Sequence, residues 1–285
     1  LQFEALQFDR ILIADWSAAS TLSPARPASD AIWLGQIDAI GAQSTYHRSR
    51  ASAETAISQA IDLAIASQTR LLIGFDFPMG YPLGFAARLT GQPTARAVWA
   101  WLSAAIQDGP NNQNNRFQVA SRINKIFGQG PFWGRPTNLD LPDLPAKKSV
   151  DYAALGLKER RAVEVLVPRA QPVWKLYTTG AAGSQGLMGQ PMIHRLNQRP
   201  GVVVWPFDAP GPVTLAEVYP SLIAAAVNRD QAPIKDEAQV RLLAQSLFRL
   251  SQQNRLAPLF DVPGDPEQGW ILGAGHSDIL LGALL

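Results

Sequence analysis

The sequence predicts an α/β protein with a mixed sheet and helices on its faces. Two observations predict it. Strand-length runs recur at "RILIADWS", "AIWLGQID", "QSTYHRS" and "RLLIGFDFP". Between the third and fourth runs, apolar residues fall at helical spacing, so a hairpin is followed by a crossover to a further strand. At 285 residues, 47% hydrophobic and 17% charged, the chain suits one large domain, or one domain with a sizeable insertion.

The run over 10–17 predicts a buried strand that ends on Asp15. The runs over 31–38 and 43–49, joined by "AIGA", predict an antiparallel hairpin. Residues 52–68 carry Ala56, Ile57, Ala60, Ile61, Ala64 and Ile65, which predict a helix with Ser52 as its N-cap. The wholly apolar run over 70–78 fits a central strand buried on both faces, ending in Asp76 and closed by Pro78.

From about 79 to 200 the pattern changes, with helices expected over 93–107 and 158–166 around a segment rich in Pro, Gly and Asn. That length exceeds a simple loop, so it predicts an insertion packed on one edge of the core. The core resumes with strands over 201–207 and 213–221, the second delivering Glu217 before Pro220. A helix follows over 234–252, with Val240, Leu243, Leu247 and Leu250 as its apolar stripe and Asp236 in its first turn.

Composition excludes several chemistries. There are no cysteines, hence no disulfides, zinc-thiolate sites or cysteine nucleophiles. The three histidines, at 47, 194 and 276, are scattered, so any bound metal should take oxygen ligands, as magnesium, manganese or calcium do. A formal charge of +2 gives no case for nucleic-acid binding by itself. No apolar run reaches the ~18 residues of a membrane span, and "LQFEALQFDR" lacks a signal-peptide pattern, so no membrane partner and a cytoplasmic location are expected.

Asp15, Asp76, Glu217 and Asp236 form the first constellation. Three end strands and one opens a late helix. Carboxylates brought to one sheet edge raise each other's pKa unless a cation neutralises them. A divalent ion relieves that conflict, and two such ions can clamp the oxygens of a phosphodiester. Ordinary turn and cap roles are the alternative.

"IADWSAAS", "GFDFPMGYP", "AEVYPSL" and "KDEAQVRLLAQ", in this order, resemble a family of predicted RNase H-like nucleases, catalogued as domain of unknown function 429. "NNRF", "GPFWG", "ERRAVE" and "GSQGLMG" extend the resemblance over most of the chain, to a subgroup sometimes labelled as related to molybdopterin guanine dinucleotide synthesis. No nucleotide-binding P-loop accompanies that label here. The resemblance implies an RNase H-like (ribonuclease H superfold) sheet: three antiparallel strands, a helix, then parallel strands. It implies that Asp15, Asp76 and Asp236 hold Mg²⁺ or Mn²⁺, with Glu217 binding metal or orienting water. The expected activity is phosphodiester hydrolysis on a nucleic acid or a nucleotide-like phosphate. The alternatives are an actin-like ATPase or phosphotransferase, against which the missing glycine in "DWSAAS" counts, and a binding or scaffold module.

The remaining candidates contact substrate. Ser17 either touches phosphate or bonds its own turn. Asn115 and Arg116 in "NNRF" could hold a phosphate or form turns and a helix cap. Gly180, Gly183, Gly186 and Gly189 recur every three residues without matching a nucleotide-binding fingerprint, which predicts a closely packed turn with Ser184 and Gln185 as contacts. Lys235 could neutralise the acids. His276 and Asp278 read as a surface pair outside the main site. Basic residues outnumber acids over 111–175, which suggests either a phosphate groove with stacking aromatics or a solvated cap.

Overall fold

A computed structural model describes residues 6–262 and 264–285. The apolar runs become strands β1 (Arg10–Asp15), β2 (Ile32–Ile37), β3 (Ala42–His47) and β4 (Leu71–Phe75). Helix α1 (Arg50–Ala66) links β3 to β4. The insertion supplies α2 (Phe85–Thr90), α3 (Ala95–Ala105), α4 (Arg116–Phe127), α5 (Ala162–Leu166) and α6 (Ala182–Asn197). Strands β5 (Val202–Val204) and β6 (Val213–Glu217) follow, then α7 (Ala224–Val227), α8 (Lys235–Gln252), α9 (Ala257–Phe260) and α10 (Ser277–Gly282).

The result is an α/β fold on one six-stranded mixed sheet, ordered β3-β2-β1-β4-β6-β5. β1, β2 and β3 form an antiparallel meander, while β1, β4, β6 and β5 run parallel. Side chains alternate between the two faces. Ile11, Ile13, Leu72, Ala216 and Val218 face a core completed by α8, whose stripe Val240, Leu243, Leu247 and Leu250 is buried there. Leu12, Ala14, Leu71, Ile73, Phe75 and Leu215 face the other core, beneath α1 and α6. The approach of α8 to the sheet is close because β2 offers a glycine: a Cβ at Gly35 would lie 2.6 Å from the Val240 backbone.

Four expectations change. The N-cap of α1 is Ser49, whose side chain accepts the Ser52 N–H; the helix starts one turn earlier than its apolar pattern because Arg50 already has helical geometry. The glycine-rich segment is a helix, not a turn. α6 tolerates its glycines because they let it sit on its neighbours: a Cβ at Gly189 would lie 2.4 Å from the Phe77 ring, and one at Gly183 would lie 2.4 Å from the Val173 carbonyl oxygen. The insertion does more than flank an edge. Met192, Ile193 and Leu196 of α6 and Trp99 of α3 enter a sheet-face core, while α2, α3 and α4 share a second core with Phe132 and Trp174. Helix α5 is also shorter than 158–166, because Arg161 stays extended at its N-cap.

Candidate functional site

β1 and β4 are parallel and in register, with Ala14 beside Phe75. The residues that follow, Asp15 and Asp76, are therefore neighbours on the same face, the one α8 covers. The Asp76 N–H donates to the Ala14 carbonyl at 3.2 Å and locks the register one step past the strand. The two carboxyl groups lie within reach of each other, and a hydrogen bond between them favours the proton on Asp15 and the charge on Asp76. Burial, then the Asp76 charge and this bond, then Asp236 and Asp30, push the Asp15 carboxyl well above the usual carboxylate range. Burial also lifts Asp76, to about 6, although the bond from Asp15 and the Trp16 N–H pull it back. The Trp16 N–H donates to Asp76 Oδ1 at 2.6 Å.

Asp236 joins from the first turn of α8 and lines one cleft of about 660 Å³ with Asp15. Its Oδ2 accepts the Asp30 N–H at 2.8 Å. Burial raises its pKa first, the Asp30 N–H opposes this, the Asp30 charge adds to it, and Lys235 opposes it. Asp30 is a fourth acid that sequence reasoning missed. The signal was available: in an antiparallel hairpin the start of β2 lies beside the end of β1, and Asp30 stands two residues before β2.

Glu217 belongs elsewhere. Its register partner on β4 is Phe75, one residue before Asp76, so it takes the opposite face of the sheet. There it is 4% exposed, and Arg161 grips both its oxygens, Nη2 to Oε1 at 2.6 Å and Nη1 to Oε2 at 2.8 Å. The Met79 N–H also donates to Oε2. With three hydrogen bonds on its oxygens and a buried arginine as partner, Glu217 is a structural anion on the other face of the sheet, which corrects the role expected for it. Arg161 also bonds Glu164, completing a buried triad. Glu217 and Arg161 nonetheless help line a smaller cavity of about 190 Å³ with Asp76. The two cavities adjoin, sharing Gly180, Gln185 and Gln239.

Comparison with protein-family models, curated proteins and solved structures finds no match for this chain.

The other candidates divide. Gln185 lines both cavities and donates to the Trp16 carbonyl at 2.7 Å. Ser184 and Arg116 line the larger cleft and bond each other. Ser17 lines it too, but its hydroxyl donates to the Asp30 carbonyl and accepts the Ala19 N–H, the turn role. Asn115 does not line it; its amide accepts from Gln107 N–H and donates to Ala105, tying the end of α3 to the start of α4. Lys235 is exposed at the start of α8. No hydrogen bond joins His276 to Asp278 among the described residues; His276 is the N-cap of α10 and Asp278 lies in its first turn. The basic residues of the insertion behave mostly as a cap: Arg135 and Arg160 bind backbone carbonyls, Arg122 stacks on Trp101, and Lys148 pairs with Glu159.

Among the described residues no three acids or histidines are arranged as a ready metal cage. Magnesium does not require one. It is commonly held by one or two carboxylates, with water and substrate phosphate in the other positions. A close carboxyl pair fits such an ion, because the ion would relieve the repulsion between their charges.

Proposed function

We propose that this chain is a metal-dependent hydrolase of phosphodiesters with an RNase H-like fold. The carrying observation is the pair of Asp15 and Asp76 on adjacent parallel strands, with Asp15 at the wall of the cleft that also holds Asp236 and Asp76 at the wall of the adjoining cavity. The strand order, an antiparallel meander followed through a helix by parallel strands, is the arrangement implied by the resemblance to the predicted RNase H-like nucleases, and supports the same reading.

Asp15 and Asp76 would hold Mg²⁺ or Mn²⁺. The bound ion would supply Lewis-acid stabilisation of charge on the phosphate and lower the pKa of bound water. The chain's own residues do the positioning. The Trp16 N–H fixes Asp76 Oδ1, and the Asp30 N–H fixes Asp236 Oδ2. Asp236 Oδ1, which has no hydrogen-bond partner among the described residues, would accept a proton from the attacking water. Gln185 holds the Trp16 carbonyl and so steadies the turn that carries both amide and acid.

The test is Asp15→Asn assayed on a panel of DNA and RNA substrates with manganese present. The expected result is loss of hydrolysis with an unchanged circular-dichroism spectrum. Equal turnover by wild type and variant would remove the proposal.

A further inference from the structure

A buried guanidinium is costly unless an anion pairs with it. Arg116 lies at the start of α4 and is only 8% exposed. Its Nε donates to Ser184 Oγ at 3.0 Å, and its Nη1 donates to Ser20 Oγ at 2.8 Å and to Asn114 Oδ1 at 2.7 Å. All three acceptors are neutral. Among the described residues no carboxylate pairs with Arg116, and its Nη2 has no partner. The acid within electrostatic range, Asp108, is already held at both oxygens by Arg50. Burial and Arg50 together lower the Arg116 pKa to about 10, with Asp108 opposing, so the group remains a cation at neutral pH.

This cation, stacked on the Phe117 ring at 4.3 Å but paired with no carboxylate among the described residues, lines the same cleft as Asp15 and Asp236. The segment leading into α6 forms part of the same lining. There the N–H groups of Thr179, Gly180 and Ala181 make no hydrogen bond among the described residues, and no side chain caps the helix. Free N–H groups and a guanidinium that line one cleft are donors for an oxyanion. Without a bound cation the aspartates repel anions, so a negatively charged ligand then enters such a cleft only if its charge is held away from them.

We propose that Arg116 seats a phosphate group of the substrate, through Nη2 and the amides that precede α6. This rests on the phosphodiester reading above and names the group that would anchor the substrate. It is a binding site, and Arg116 is a binding residue in it. Ser184 and Asn114 aim the guanidinium.

The probe is inorganic phosphate, added to the whole chain in EDTA so that no divalent ion can bridge phosphate to the aspartates. Phosphate at about a hundred times its Kd should raise the wild-type Tm by about 5 °C, and acetate should not. Asp15→Asn should keep the shift, because the anion site does not use that carboxylate. Arg116→Met should lose it. Should Arg116→Met fail to fold, Arg116→Lys serves, since it keeps the charge but not the planar fork; its phosphate affinity should fall about tenfold or more. The absence of any phosphate shift in wild type, an equal response to acetate, or unchanged affinity in Arg116→Met or Arg116→Lys overturns the proposal. Phosphate binding that survives while Asp15→Asn still hydrolyses substrate would separate this site from the catalytic reading, and would sink only the latter.

Discussion

Replacing Asp76 by Asn should stabilise the metal-free protein at neutral pH, and the gain should depend on pH in a defined way. An acid whose pKa is higher in the folded than in the unfolded chain keeps its proton longer in the native state. Stability from that proton is fully present below the unfolded value and is lost as pH rises through the folded one. For Asp76 the window runs from 3.8 to about 6. At about 1.4 kcal/mol per pH unit, ionising Asp76 in the native state costs about 3 kcal/mol by pH 7. Asparagine keeps an oxygen for the Trp16 N–H and for Asp15, but it has no charge to bury. Removing the Asp76 charge also relieves Asp15, which acts in the same direction. The assay is urea unfolding of both proteins in EDTA at pH values from about 4 to 7. Titrations common to the two proteins cancel in the difference. That difference should climb by about 2.5 kcal/mol in favour of the variant across the range. Saturating manganese should then raise the wild-type stability at pH 7 and leave the variant nearly unmoved. A difference that stays flat from pH 4 to pH 7 would refute the account of the paired carboxyls.

Two further outcomes follow from packing and charge. Arg161→Met strips the cation from between Glu164 and Glu217, both buried, and should cost about 3–5 kcal/mol in urea unfolding; a loss below about 1 kcal/mol would mean the triad is not held as described. Gly35→Ala puts a methyl group against the backbone of α8, which cannot rotate away as a side chain can, so it should cost about 1–3 kcal/mol and lower hydrolysis by displacing Asp236; full stability with full activity would argue against that contact.

The sheet was legible because its strands are apolar runs, and apolar runs of that length admit few alternatives. The Asp15–Asp76 pair was legible for a related reason: two adjacent parallel strands that both end in Asp bring those acids together once the register is known. Glu217 was misread because the same logic was applied one residue out of phase. Strand ends can be read from sequence; the face of the sheet depends on register, which sequence does not print. Its partner Arg161 lies 56 residues earlier, in a stretch whose charges look like solvated surface. Helix α6 was hidden because glycine every third residue and Pro191 both read as breakers. What rescues it is tertiary: the missing Cβ atoms are the space that Phe77 and Pro78 fill. Arg116 was legible as a candidate, but not as a cation without a partner, since that depends on Asp108 being taken by Arg50.

The grip of α6 on the site bears on how the chain could be shortened. Gln185 holds the carbonyl after Asp15, Gln190 holds the Pro78 carbonyl at 2.8 Å, and Gly189 rests on Phe77, just beyond Asp76. One helix thus clamps both turns that leave the carboxylate strands, and it belongs to the segment that looked like an addition to a smaller core. Excising residues 79–200 to obtain a minimal catalytic fragment would leave those turns without their outer wall. The insertion and the acid pair should therefore open together, as one cooperative unit in hydrogen exchange.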